Sequence, residues 1–543
     1  MPSSLDPFLP QSASPGTGGL PYRVLTASRT IVVVSFLSLL AVPFIFRPAT
    51  PPPPPGAERL IIITPHNEQI RHEFSRAFNE WHEREYGERV NVIYSVPGGT
   101  SEIRAMLQAQ LTAALESGHD PGGDADLVFG GGSYEHAALK RGVTVTIDGE
   151  RRQEPITAPV DFDEEWLDAV YGPNEIGDGL LYDPDRYWFG TALAGFGIVY
   201  NRDALRALDL PEPTTWEALT HPRLRGWIAL VNPGQSGSIT TAFDTILQRR
   251  GWARGWQVLR RAGANARYFS ATALKPPNDV SQGNAAMGVC IDFFGRYQSQ
   301  AILDAGGGDR VGYIDPPGAT TIDADPISML RGALNPKMAR RFIEFTLTEE
   351  GQALWQFRVD DDHEDGLGPA RFELRRMPVL RSMYEKHFDR LIDPVRPFEI
   401  ARPAEHPNRS FRGFVAVIFA AAAMDTHGDL KRAWRAIVNH PAHPAPRVGE
   451  IVTAADVTDP TLRRMLVLFD AMPEVRGPDG RTYSMANVDD LETIRNGWLR
   501  QEWREEALWH PESRPGDALR REFVQFFRAN YREIVRIAEE GRM

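Results

Sequence analysis

Cysteine is almost absent from this chain of 543 residues, because Cys290 is the only one. A single thiol excludes an intrachain disulfide and a zinc cluster built on cysteine ligands. Acidic residues outnumber basic ones: the net charge is −12, which argues against a nucleic-acid-binding protein. A local pocket of opposite sign still allows the chain to bind an anion.

Motifs for catalysis are missing as well. The chain has no Gly-x-x-x-x-Gly-Lys-Ser/Thr loop and no His-Glu-x-x-His motif. The run 234–238 resembles a nucleophile elbow, but Ser238 stands where that motif needs glycine. We therefore expect a protein that is not an enzyme and that holds no cofactor and no metal.

One uncharged apolar run, 31–46, follows Arg23 and Arg29. As a helix it spans about 24 Å, which is short for a hydrocarbon core of about 30 Å but suits a signal segment. No cysteine follows the run, which excludes a lipoprotein anchor, and no clean cleavage site is visible. We expect an uncleaved signal anchor or transmembrane helix, with cleavage and secretion as the alternative. The two arginines predict that the remainder lies on the periplasmic or extracellular side.

The regions on either side of this run differ from a globular domain. Residues 1–30 are rich in serine, proline and glycine, which predicts disorder. Residues 47–57 contain five consecutive prolines and predict a stiff linker.

From residue 58 onwards, strand and helix patterns alternate. Apolar runs at 60–63, 90–96 and 125–129 predict buried strands, and apolar residues at spacings of three and four between them predict helices. This alternation indicates a largely parallel, doubly wound α/β sheet. A second unit with strand-like runs begins near Gly195, and beyond residue 400 the pattern is mostly that of amphipathic helices.

Three turns rich in glycine and hydroxyl residues lie where a predicted strand ends and a helix begins. Such turns offer free backbone N–H groups and the positive end of a helix dipole, and in open α/β sheets the ligand crevice lies at this edge. The alternative is that the hydroxyls only cap helices. The candidate ligand-binding residues from these turns are Gly99, Thr100, Ser101, Ser133, Ser236, Gly237 and Ser238.

Several runs resemble, in order and spacing, the extracellular solute-binding proteins of ABC importers, in the branch that includes ferric-ion and phosphonate binders. They are Ser-Val-Pro-Gly-Gly-Thr-Ser-Glu-Ile at 95–103, Gly-Ile-Val-Tyr-Asn-Arg-Asp at 197–203, Asn-Pro-Gly-Gln-Ser-Gly-Ser at 232–238 and Asn-Pro-Lys-Met-Ala-Arg-Arg-Phe-Ile-Glu-Phe at 335–345. The resemblance implies a two-lobed periplasmic-binding-protein type II fold, with a solute clamped between the lobes and delivered to a membrane permease.

On this basis we expect a first α/β lobe from 58–195 together with 320–399 and a second from 196–319. Residues 400–543 form a mostly helical extension, which we expect to pack on the first lobe, with a protein-docking module as the alternative. We expect a monomer whose partners are a small solute and an ABC permease, and not nucleic acid.

The resemblance also bears on the ligand. Ferric-binding members present two adjacent tyrosines where this chain has Phe293 and Phe294, and a phenyl ring has no oxygen for a hard cation. His66 matches a histidine of the family, and we expect it and Asn67 to contact the ligand. Asp292 is either a further contact or a structural cap or hinge residue.

The expected ligand is therefore a small polar or anionic solute: a phosphonate, a phosphate ester or a carboxylate. Two alternatives remain open. One is a ligand-sensing module that signals to a membrane partner, and the other is a ferric site with ligands other than tyrosine.

Overall fold

The computed structural model describes residues 32–39, 57–119, 123–147, 150–359, 366–477, 479–499 and 515–541. Residues 32–39 of the predicted anchor form a helix. The rest of 31–46, the predicted disordered segment 1–30 and the linker, except residue 57, lie outside the described residues. Within the described ranges, none of the helices combines the length and the apolar character that crossing a membrane requires. The signal anchor thus stays a prediction.

The strands and helices alternate through most of the chain after residue 57. The strands are β1 (Glu58–Ile63), β2 (Val90–Ser95), β3 (Leu127–Phe129), β4 (Val143–Ile147), β5 (Glu150–Glu154), β6 (Thr157–Ala158), β7 (Phe189–Ala194), β8 (Phe196–Asn201), β9 (Ile228–Val231), β10 (Ala266–Ser270), β11 (Met287–Ile291), β12 (Val311–Ile314), β13 (Asp323–Leu330), β14 (Met377–Pro378), β15 (Glu474–Arg476) and β16 (Thr482–Ser484). The α-helices are α1 (Glu68–Tyr86), α2 (Thr100–Glu116), α3 (Ser133–Arg141), α4 (Glu164–Tyr171), α5 (Arg202–Ala207), α6 (Gly237–Arg250), α7 (Trp252–Asn265), α8 (Lys275–Ser281), α9 (Asp292–Ile302), α10 (Pro336–Thr346), α11 (Glu349–Gln356), α12 (Ser382–Lys386), α13 (Pro397–Ile400), α14 (Phe411–Phe419), α15 (His427–Val438), α16 (Pro460–Asp470), α17 (Val488–Ile494) and α18 (Pro515–Glu540).

Two sheets organise these elements and define two lobes. The first sheet has the order β14-β7-β13-β3-β1-β2, with β6 beside β13, and the second has the order β10-β9-β11-β8-β12. In the first lobe β1 pairs in parallel with β2 and β3, and in the second β9 pairs in parallel with β10 and β11. Next to these parallel strands lies one antiparallel strand in each sheet: β13 pairs with β3 in the first lobe, and β8 pairs with β11 in the second. The predicted α/β fold is therefore confirmed, and both lobes repeat one strand order.

Local sequence explains how the first parallel unit forms. The Asn67 side chain accepts a hydrogen bond from the N–H of Ile70, at 3.0 Å, and so caps α1. Phe74 and Phe78 of this helix are fully buried, because their spacing of four places them on one face. Gly87 ends the helix at φ 72°, a left-handed conformation that glycine adopts without steric cost.

The chain passes between the two sheets at several points. Gly195 joins β7 to β8, and a second connection runs from β12 to β13. The Thr320 hydroxyl, in the second connection, donates to the Phe196 carbonyl at 2.8 Å and accepts from its N–H at 3.1 Å. Arg249 of α6 donates to the carbonyl oxygens of Thr320 and Arg402, at 3.0 and 2.6 Å. The connections are thus bonded to one another and to the second lobe.

The C-terminal helices pack on the second lobe: α14 lies against α6, and α15 lies against α7. The Trp252 indole donates to the Met485 carbonyl at 2.6 Å, and the Trp434 indole donates to the Asn265 side chain at 2.9 Å. The expectation that the extension packs on the first lobe is therefore wrong. The reason lies in the apolar residues of α7, which the extension covers: the Trp252 ring packs against the Phe411 ring with centroids 4.8 Å apart.

A buried ion pair fastens this contact. Arg261 of α7, with a side chain 1% exposed, donates to both Asp470 carboxylate oxygens, at 2.6 and 3.0 Å, and to the Val452 carbonyl at 2.9 Å. Removing one partner of a buried pair leaves the other charge uncompensated.

We expect Arg261→Ala to lower the free energy of unfolding by about 3–5 kcal/mol, measured by urea unfolding followed by tryptophan fluorescence. The control is Arg464→Ala, whose partner is Glu533 and whose side chain is 62% exposed, and it should cost less than about 1 kcal/mol. Equal effects of the two variants would contradict the role of the buried pair.

Candidate ligand-binding site

A cavity of about 470 Å³ lies between the two lobes. From the first lobe it is lined by residues that follow β1 and β2, including His66, Arg71 and Thr100. From the second lobe it is lined by the turn before α6, including Ser236 and Ser238. Its volume falls in the range of cavities that bind small molecules.

The charge of Arg71 makes this cavity favourable for an anion. Arg71 lies in the first turn of α1 and donates through Nε to the Asn67 carbonyl at 3.3 Å. In the part of the chain that the structure describes, no carboxylate forms an ion pair with Arg71, and the side chain is half-buried. The N-termini of α2 and α6 also begin at the cavity wall, and helix N-termini favour negative charge.

A second cation, Arg376, forms the floor of the cavity. Its guanidinium is 3% exposed and pairs directly with the Asp325 carboxylate. It also donates to His66 Nε2 at 3.0 Å and lies over the Phe293 ring, 4.5 Å from the centroid. The other Asp325 oxygen accepts from the Gly131 N–H at 2.6 Å. The positive charge of Arg376 is therefore balanced by a carboxylate, while that of Arg71 has no such partner among the described residues.

His66 is neutral in this setting. Burial, with the nearby charges of Arg376 and Arg71, holds the pKa of His66 well below its usual value. Its Nε2 lies between the Arg376 guanidinium, at 3.0 Å, and the Asp325 carboxylate, at 3.2 Å. Its Nδ1 is buried and has no hydrogen-bond partner among the described residues. Asp325 at 3.2 Å is thus the counter-ion of Arg376 rather than of His66.

Two of the predicted turns meet across the cavity. Thr100 Oγ1 accepts from the Gly237 N–H at 3.0 Å, which links the lobes directly. Ser236 caps α6 by accepting from the Ile239 N–H, and its hydroxyl lies 3.2 Å from that of Ser238. The hydroxyls of Thr100, Ser236 and Ser238 therefore have structural contacts and still line the cavity, so capping and ligand contact are compatible here.

Four predicted residues do not line the cavity. Ser101 faces Glu135, with Oγ 3.4 Å from Oε1, and Ser133 donates to Asp323 at 2.6 Å. Gly237 contributes its N–H to Thr100 instead. Asp292 is fully buried. By contrast His66, Asn67, Gly99, Thr100, Ser236 and Ser238 line it.

Asp292 lies beside the connection between the lobes. Its N–H donates to the Gly195 carbonyl at 3.0 Å, and its Oδ1 accepts from the Phe293 N–H at 2.8 Å. Its Oδ2 is buried and has no partner among the described residues. Burial, opposed by Arg296 and reinforced by Asp315, raises the pKa of Asp292 to about 7.

Apolar side chains form the remaining wall. Phe293 and Phe294 line the cavity with ring centroids 4.0 Å apart, together with Val96 and Leu274. No group of three or more histidine, cysteine or acidic side chains that could hold a metal ion occurs in the described ranges. Trp188, which precedes β7, is 3% exposed and does not line the cavity.

Sequence reasoning missed Arg71 and Arg376. Arg71 follows the candidate Asn67 by four residues, so helical spacing from a predicted cap was a usable signal. Arg376 lies 310 residues from its partner His66, and no local pattern indicates that contact.

Part of the chain matches a known protein family. Residues 152–359 match the sequence profile of the family described as bacterial extracellular solute-binding protein. The match confirms the resemblance seen in the sequence. The family is described by binding and not by catalysis.

Two curated relatives each match about a third of this chain. An uncharacterized protein of Haemophilus influenzae is 26% identical over 201 residues, which cover 36% of this chain and 56% of the relative. The phosphoglycerate transport regulatory protein PgtC of Salmonella typhimurium is 25% identical over 164 residues, covering 30% of this chain and 39% of the relative. The chain therefore spans less than two thirds of the length of these relatives.

A solved structure is similar as well. It is the periplasmic binding protein AfuA of Actinobacillus pleuropneumoniae with bound fructose-6-phosphate, at 16% identity and a TM-score of 0.46. The similarity covers 69% of this chain and 97% of AfuA.

The raised pKa of Asp292 gives a prediction for stability. Asp292 binds its proton more tightly in the folded state than in the unfolded state. The free energy of unfolding therefore falls as pH rises from the unfolded pKa, near 4, to the folded pKa, about 7. As pH rises through this window, we expect the free energy of unfolding of Asp292→Asn to increase relative to that of the wild type. Above pH 7 the difference between the two proteins should stay constant. Urea unfolding at pH 4.5, 5.5, 6.5 and 7.5 measures the difference, and parallel pH curves for the two proteins would contradict it.

Proposed function

We propose that this protein is the extracytoplasmic solute-binding component of an ABC importer. It captures a small anionic solute between its lobes by hinge closure and delivers it to a membrane permease. The solute is a phosphonate, a phosphate ester or a carboxylate. Placement on the periplasmic or extracellular side and a monomeric state belong to the same proposal.

The observation that carries the proposal is the uncompensated Arg71 in an interlobe cavity where two helix N-termini begin. A half-buried guanidinium without a counter-ion is stabilised by an anionic ligand. The hydroxyls of Thr100, Ser236 and Ser238 add neutral donors from both lobes. The description of PgtC supports the same chemistry, since phosphoglycerate carries a phosphate ester and a carboxylate.

The same geometry disfavours the ferric alternative. A hard cation needs several anionic oxygen ligands. Here the cation Arg376 occupies the position beside His66, and the nearby Asp325 carboxylate is already paired with Arg376. Phe293 and Phe294 add no oxygen. The sensing alternative shares the ligand site and keeps some support from the description of PgtC as a regulatory protein.

The test is a thermal-shift screen of methylphosphonate, 3-phosphoglycerate, citrate and ferric chloride, followed by calorimetry of the strongest binder. A solute at 100 times its dissociation constant stabilises the protein by about 2.7 kcal/mol. Arg71→Ala should weaken that binder by about 10- to 100-fold, because a hydrogen bond to a charged group is worth about 1.5–3 kcal/mol. Arg206→Ala, a surface change with a side chain 74% exposed, serves as the control.

A large shift with ferric chloride alone would overturn the anion proposal. Unchanged affinity in Arg71→Ala would show that the free guanidinium does not contact the solute.

Glu102 gives a second prediction. Its carboxylate lines the cavity and accepts from the Gly99 N–H at 3.0 Å, so a negative charge covers one of the amides that face the ligand. Glu102→Gln keeps an acceptor for that amide but removes the charge. A unit charge a few ångströms away is worth about 1 kcal/mol in high dielectric, so affinity for 3-phosphoglycerate should rise by about fivefold. Calorimetry measures this, and weaker binding would mean that Glu102 contacts a cationic part of the solute.

A further inference from the structure

Arg412, the second residue of α14, reaches from the C-terminal extension to the ligand-binding turn of the second lobe. Its Nη1 donates to Thr241 Oγ1 at 2.7 Å, and its Nη2 donates to the Gly237 carbonyl at 3.4 Å. The side chain is 10% exposed. Gly237 lies between Ser236 and Ser238, the two hydroxyls that line the cavity, so Arg412 fixes the backbone of that turn.

The same guanidinium also contacts the first lobe. Its Nη2 lies 3.8 Å from Glu135 Oε1, and its central carbon lies 4.0 Å from the centroid of the Tyr134 ring. Glu135 is 6% exposed and also pairs with Arg104 of α2, whose Nε lies at 2.5 Å. The buried carboxylate thus has one cation from its own lobe and one from the extension.

Separation of the lobes would remove the second of these cations. The extension is fastened to the second lobe, so Arg412 would move away with it, and Glu135 would keep only Arg104. The hydrogen bond from the Gly237 N–H to Thr100 Oγ1 spans the same part of the seam and would break in the same motion. The charge contact is therefore present only when the lobes are together, and it favours the closed arrangement.

We propose that Arg412 is a positioning residue for solute capture, through which the C-terminal extension holds the 236–238 turn against the first lobe. The expected effect of Arg412 on solute affinity rests on the proposed function. Its expected effect on the distance between the lobes does not. Losing Arg412 lowers the closed fraction, and the affinity for the solute falls in proportion to that fraction.

The experiment measures the lobes directly in the full chain without solute. Spin labels are placed on Glu80→Cys in α1 and Asp203→Cys in α5, both on exposed side chains, while Cys290 is buried and stays unlabelled. Double electron–electron resonance gives the interlobe distance for the wild type, Arg412→Ala, Arg412→Lys and Glu135→Gln. The matched control is Arg432→Ala, an arginine of the extension that is 62% exposed and pairs within its own helix with Asp429.

We expect Arg412→Ala and Glu135→Gln to populate longer distances, with the ratio of closed to open molecules lower by at least about threefold, and Arg432→Ala to match the wild type. Arg412→Lys keeps the charge but loses the forked contact, so it should fall between. Calorimetry with 3-phosphoglycerate should show weaker binding in the same order. If Arg412→Ala does not fold, Arg412→Lys and Glu135→Gln decide the question.

Unchanged distance distributions in folded Arg412 and Glu135 variants would overturn the proposal. If the lobes open as expected but 3-phosphoglycerate does not bind the wild type, the role of Arg412 stands and the solute assignment fails. The two failures are therefore distinguishable.

Discussion

Burial of the Arg376 guanidinium beneath the cavity is the constraint on which the arrangement of the site depends. A cation that is 3% exposed needs a close counter-ion and further hydrogen-bond acceptors. Asp325 and the neutral His66 supply them, and Asp325 also accepts from the Gly131 N–H, which positions the turn before α3. The Phe293 ring covers the guanidinium from the second lobe. Through charge pairing and aromatic packing, Arg376 therefore contacts residues of both lobes.

This pairing also determines what remains available to a solute. Because Arg376 and Asp325 neutralise each other, the floor of the cavity adds little net charge. The net attraction for an anion then comes from Arg71 and the helix N-termini, and Glu102 opposes it. Among the described residues, the cavity wall combines the unpaired Arg71 with neutral hydroxyls and apolar side chains. Such a cavity selects a small solute by the position of its anionic group and by the shape of the remainder.

The sequence was sufficient for the fold and for about half of the site. The apolar runs at 60–63 and 125–129 predict β1 and β3 because both strands lie inside the first sheet, where most of their side chains are buried. Strand β10 has polar and partly exposed residues and was not predicted. The turns at 98–101 and 236–238 were found because glycine and hydroxyl residues have a local role at strand-to-helix junctions. Adjacent residues on a helix point about 100° apart, which explains why Thr100 lines the cavity while Ser101 faces Glu135. The sequence pattern does not specify this rotation.

Contacts between distant segments account for what the sequence did not predict. The amphipathic helices beyond residue 400 show that one face must be buried, but not against which partner, and the choice of the second lobe depends on the apolar surface of α7. The buried pair of Arg261 and Asp470 joins the extension to the second lobe. In the proposed hinge closure, opening the cavity separates Arg412 from Glu135 together with Gly237 from Thr100. In that proposal the extension takes part in closing the cavity, although it lies outside it.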